Sequence, residues 1–168
     1  HSPHHVAWRA LTDLACGVKQ SCFMLLEGLH RNPINPHTDS WSSRRPHVFS
    51  GDLVALNMVA RTLQGAAPVE TFHCGGAVAV HLFRTAEERL MAVAWFYGDG
   101  RGIRVDIPDA VGRLTDLYGN AVASRKGVLL GARPIYLFPQ EGEPEGAFAE
   151  FIRRWAQTHV EERCHENR

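Results

Sequence analysis

The residue types best suited to chemistry crowd into one stretch. From Glu27 to His47 the chain reads EGLHRNPINPHTDSWSSRRPH, with three prolines, two asparagines and no sustained periodicity, which is the pattern of a long loop. Unstructured segments of this length are uncommon inside compact domains, and many carry function. Glu27 closes an apolar run and offers a carboxylate that can accept hydrogen bonds from ligand hydroxyls. The competing and commoner role is an ion pair with Arg31, Arg44 or Arg45 that holds the loop. Trp41 can stack on a sugar ring or anchor the loop by its own burial, and a single tryptophan does not separate these. His30, His37, His47 and Asp39 are metal-ligand types, but their spacing matches no ligand pattern, so no metal site is expected.

Other chemistries find less support. Ser21 and Ser50 lack the Gly-x-Ser-x-Gly setting of a strand-to-helix nucleophile. The glycines of Gly98 to Gly102 join two strand-like runs, whereas a phosphate-cradling loop leads from a strand into a helix. Phe96, Tyr97, Tyr118 and Tyr136 can be imagined as a carbohydrate platform, although alternating aromatics of this kind are more often core. Cys16, Cys22, Cys74 and Cys164 show no CxxC or zinc-like spacing and read as buried free thiols. No cofactor is expected.

Composition bounds the class. The 168 residues are 45% hydrophobic and 21% charged, enough for one ordinary core or two small ones. Eighteen basic residues balance eighteen acidic ones, so nothing marks the chain for nucleic acid or for an anionic membrane surface. No Met start or signal-like h-region opens it, and the compartment is not legible.

The elements that must position these residues follow from periodicity. Ala7, Leu11, Leu14 and Ala15 repeat at helical spacing from Val6 to Cys16, with Gly17 as the stop. Val18 to Leu26 is nearly continuous in its apolar second half and reads as a buried parallel strand. Val48 to Leu63 reads as a helix with Phe49, Leu53, Leu56, Ala60 and Leu63 on one stripe. After Gln64 to Pro68 the period falls to two. Thr71 to His73, Val78 to Leu82, Met91 to Tyr97 and Ile103 to Ile107 read as strands, with Asp99 to Gly102 as a hairpin-type turn. Asp116 to Asn120 supplies Gly and Asn where a strand must reverse. Pro134 opens the apolar strand Ile135 to Phe138, expected near the end of a sheet because proline cannot donate to a central ladder. Phe148, Phe151, Ile152 and Trp155 share the face of a terminal helix that frays from Glu161 onward.

Thr115-Asp116-Leu117-Tyr118-Gly119-Asn120, followed by Pro134-Ile135-Tyr136-Leu137, resembles the end of the C-terminal β-sandwich in many barrel-type glycoside hydrolases of the β-galactosidase-like kind. The resemblance implies an α+β chain: a helix-strand-helix piece closing a (β/α)8 barrel in residues 1–66, an antiparallel β-sandwich in 67–140, and a C-terminal helix and tail in 141–168. It places the two catalytic glutamates of a retaining glycosidase on strands upstream of His1, so no catalytic residue is assigned here and the chain alone is expected to be inactive. It also turns Glu27 and Trp41 toward the sugar site as substrate-binding residues. The implied partners are carbohydrate, through the parent enzyme, and the remainder of the parent barrel or a second copy. The alternative is a non-catalytic sandwich module that binds carbohydrate or a protein partner, and a further one is a self-contained α+β domain.

Overall fold

The computed structural model describes residues 3–21, 51–98 and 100–166. In chain order the elements are α1 (Pro3–Ala15), α2 (Gly51–Leu63), β1 (Ala67–Cys74), β2 (Val78–Arg84), β3 (Leu90–Phe96), β4 (Ile103–Val105), β5 (Val111–Thr115), β6 (Val128–Leu130), β7 (Ile135–Pro139), α3 (Glu145–Arg154), a π-helical segment (Trp155–Val160) and α4 (Glu161–Glu166). Five strands form one antiparallel sheet in the order β1-β2-β3-β7-β5, while β4 and β6 pair as a separate two-stranded ribbon. The chain is therefore α+β, with helices on both faces of the main sheet.

That double cover explains the apolar runs of β2 and β3, whose side chains are buried on both sides. On one face Val78, Val80, Leu82, Ala92 and Ala94 meet Phe148, Ile152, Trp155, Ala156, Val160 and Cys164 of the C-terminal helical run, with Ile103, Val105 and Leu130 of the ribbon. On the other, Ala79, Phe83, Met91, Val93, Trp95 and Tyr136 meet Ala7 and Leu11 of α1 and Ala55, Val59 and Leu63 of α2. Full burial of side chains such as Leu11 and Phe148 stabilises by roughly 1.5–3 kcal/mol each.

Helix α1 ends as its Gly17 requires. The Gly17 amide donates to the Leu14 carbonyl and the Val18 amide to the Asp13 carbonyl, both at 2.9 Å, around a Gly17 φ of +78°. This cap uses the Val18 amide, and Val18 to Ser21 are not strand, contrary to the expectation that a strand begins at Val18. Ser21 instead donates its hydroxyl to Asp13 Oδ2 at 2.8 Å, beside the Arg9–Asp13 ion pair. Cys22 to Leu26, like the loop that follows, lies outside the described residues. Cys16 follows the last residue of α1 and is exposed, where burial was expected, whereas Cys74 and Cys164 are buried.

Several local expectations shift. The buried stripe of α2 is Ala55, Val59 and Leu63, and Ala60 faces solvent, because this helix is apolar around much of its circumference and its sequence leaves the phase open. The Asp99 to Gly102 region is no hairpin: it carries the chain from β3 to β4, which belong to different sheets. Strand β7 pairs with β3 on one side and β5 on the other, so it lies one strand in from the edge. Pro134 precedes the ladder and its missing N–H costs nothing there. Phe151 is 42% exposed, since Phe148, Ile152 and Trp155 define the inward face of α3. Beyond it the helical run continues to Glu166, held by buried Val160 and Cys164, where fraying was expected.

The two outermost strands share one irregularity. The β1–β2 register shifts between Pro68 and Glu70, and the β5–β7 register shifts between Val111 and Arg113. Arg153 of α3 reaches Glu70 beside the first shift, at 2.9 Å.

Candidate functional site

Period two puts Arg113 and Thr115 of β5 on the same face as Tyr136 and Phe138 of β7, and Arg113 lies directly across the ladder from Phe138. The Arg113 guanidinium carbon sits 4.0 Å over the Phe138 ring centroid, a cation–π contact. Facing this pair, α2 presents Asn57, Met58 and Arg61, and the β2–β3 turn presents Arg89. Together they bound a cavity of about 900 Å³. Among the described residues none of Arg61, Arg89 and Arg113 forms an ion pair. Elsewhere in the same chain Arg84 meets Glu145 at 2.8 Å and Arg153 meets Glu150 at 2.6 Å. Glu87 and Glu141 also border the cavity, both exposed on turns.

This face of the sheet also gathers polar atoms without partners. Trp8 Nε1, Thr115 Oγ1 and Tyr136 Oη are buried and have no hydrogen-bond partner among the described residues. Burial pushes the Tyr136 phenol well above its ordinary range, so it stays neutral. Thr115 lines the cavity and is only 5% exposed.

One wall of the cavity is made by the turn after β5. Asp116 Oδ1 accepts from the Tyr118 and Asn120 amides at 2.8 and 2.9 Å, and its Oδ2 accepts from Asn120 Nδ2 at 3.0 Å. The chain reverses through Gly119 at φ +88°, with the Thr115–Ala121 bridge closing the turn. A Cβ on Gly119 would lie 3.1 Å from Met58 Sδ, so the turn is seated against α2.

A second polar cluster lies at the β1 end of the same face. His81 is 3% exposed, its Nδ1 2.9 Å from the Thr71 hydroxyl and its ring 4.8 Å from that of Trp95. Burial, and secondarily the neighbouring His73, lower its pKa to about 4. It is a neutral core histidine at ordinary pH, a hydrogen-bonded component of the sheet.

Glu27 and Trp41 lie outside the described residues, as do His30, His37, Asp39 and His47. Among the described residues no group of three or more His, Cys, Asp or Glu is placed to hold a metal, and no helix is long and apolar enough to cross a membrane. The aromatics considered as a platform are dispersed: Phe96 packs on one face of the sheet, Tyr118 and Tyr136 on the other, and Tyr97 is 40% exposed. The three arginines of the cavity sit in no local sequence motif. The available signal was Arg113, a lone charge in the strand VGRLT, but its partner strand is more than twenty residues away along the chain. Comparisons with known protein families, curated proteins and solved structures find no match to this chain.

Proposed function

We propose that the chain is the C-terminal part of a barrel-type glycoside hydrolase, β-galactosidase-like, whose catalytic carboxylates come from residues outside it. In this reading α1 and α2 are the last two barrel helices, the sheet with its β4–β6 ribbon is the accessory sandwich, and Glu27 and Trp41 contribute one wall of the sugar site. The observation that supports it is the Thr115–Asn120 turn. The six residues that carry the family resemblance form a compact, Asp116-centred reversal set against α2, where a sandwich would have to meet the last helix of a barrel. The same reading has residues between Val6 and Leu63 bind the remainder of the parent, or a second copy of the chain.

The test is to obtain the longer reading frame and assay it on aryl β-galactosides and β-glucosides. The expected frame has glutamates at the ends of two upstream strands, about 5 Å apart when folded, as a retaining glycosidase requires. In that parent, Glu27→Gln should lower kcat/KM by about tenfold or more while leaving the melting temperature in place. The chain alone should show no turnover. Turnover by the purified chain that a point substitution within it abolishes would refute the assignment.

A further inference from the structure

We propose that the cavity between α2 and the β5–β7 edge is a binding site for a sugar acid: a polyhydroxylated ring that bears a carboxylate. The inference rests on the cavity alone and stands whether or not the parent is a glycosidase.

The argument starts from Arg113. An arginine on a strand surface ordinarily samples many rotamers, and most of its binding potential is lost to the cost of ordering it. Here the guanidinium carbon sits 4.0 Å over the centroid of the Phe138 ring, a cation–π contact that narrows the rotamers open to it at the cavity. The planar donor fork of a guanidinium matches a carboxylate in bidentate geometry, which a lysine at the same place would not reproduce. Arg61 and Arg89 add two more cations around the same space. The chain pairs Arg84 and Arg153 with carboxylates, whereas these three have no such partner among the described residues. Glu87 and Glu141 also border the cavity, and like the three arginines they are solvent-exposed, which leaves the lining one positive charge in excess.

The rest of the lining fits hydroxyl groups. Asn57, Gln64 and Gln140 each carry both a donor and an acceptor, the combination that reads a sugar hydroxyl, and buried Thr115 has a hydroxyl still without a partner. A volume of about 900 Å³ lies within the roughly 300–1,000 Å³ of small-ligand sites. That is room for more than one sugar unit, and too polar a lining for a purely apolar ligand.

The experiment titrates the full chain with trigalacturonate, with the uncharged galactotriose and with inorganic phosphate, following backbone amide shifts and heats of binding. Trigalacturonate should bind, with shifts at Arg113, Thr115, Asn57 and Gly119, and galactotriose should bind at least tenfold more weakly. Arg113→Gln and Arg61→Gln should each weaken trigalacturonate by about tenfold or more, the usual size of a lost charge-assisted pair. Arg113→Lys should not restore it, and Arg84→Gln, outside the cavity, should leave it unchanged. The proposal is overturned by any of four results: no trigalacturonate binding, equal affinity for galactotriose, indifference to both arginine substitutions, or phosphate binding as tightly at the same amides. The last would make this a general oxyanion patch. Shifts at these amides that appear only with rising protein concentration, and without ligand, would also overturn it, by assigning the cavity to a second copy of the chain.

Discussion

Acidification should weaken this fold through His81, and the size of the effect follows from its surroundings. In the unfolded chain an imidazole titrates near 6.5, whereas burial beside Trp95, with His73 close by, holds the folded value near 4. Because the folded value is depressed, the unfolded state binds the proton first. The stability is thus fully present above about pH 6.5 and is lost as pH falls from there toward 4. At about 1.4 kcal/mol per pH unit the whole window is worth about 3 kcal/mol, and about 2 kcal/mol of it falls between pH 7 and 4.5. That is a large share of the stability of a typical domain, about 5–15 kcal/mol. The assay is urea denaturation at half-unit pH steps for the wild type and for His81→Gln, whose amide can still meet the Thr71 hydroxyl. Carboxylates titrate alike in both proteins, so the difference between the two curves isolates the histidine. The reasoning fails if the two proteins lose stability in parallel from pH 7 to 4.5, for His81 would then be reaching solvent in the folded state.

Gly119→Val should cost about 1 kcal/mol or more, since a β-branched residue resists φ +88° and its Cβ would press on Met58; an unchanged melting temperature would count against that turn geometry. Trp155→Phe should cost about 2 kcal/mol by removing the 2.7 Å hydrogen bond from the indole to the Asp106 carbonyl, and urea midpoints at constant m-value would measure it. Iodoacetamide should modify exposed Cys16 in the native protein and spare Cys74, whose thiol burial pushes up to about 12; peptide mapping before and after denaturation would show Cys74 labelled only in the second case.

Much of the strand pattern was legible because it is local. Ile103, Val105 and Ile107 are buried while Arg104 and Asp106 are exposed, as alternation predicts, and the Asp116–Asn120 turn falls where its residues demand. What the sequence did not carry was pairing. Nothing in Ile103 to Val105 says that it joins Val128 to Leu130 and leaves β3, and nothing in Ile135 to Pro139 says that it inserts between β3 and β5. The phase of α2 was lost for a related reason, since Leu53, Leu56, Val59 and Leu63 permit more than one apolar stripe until a sheet is placed against them. The site was less legible still. A cavity assembled from a helix end, a turn and two strands far apart in sequence leaves no motif, whereas the loop rich in suggestive residue types drew attention by its composition alone.

The register shifts on β1 and β5 bear on how the edges of the main sheet can meet another strand. An outer strand with regular hydrogen-bonding groups is an open template to which any extended peptide can add, and copies joined in that way grow into filaments. Here one outer strand carries Pro68 beside its shift, and the other carries Gly112 within its own. Each break puts adjacent amides out of step, so an incoming strand could match only part of either edge. Backbone-templated growth is thereby disfavoured on both flanks of the main sheet, whose faces present side chains alone.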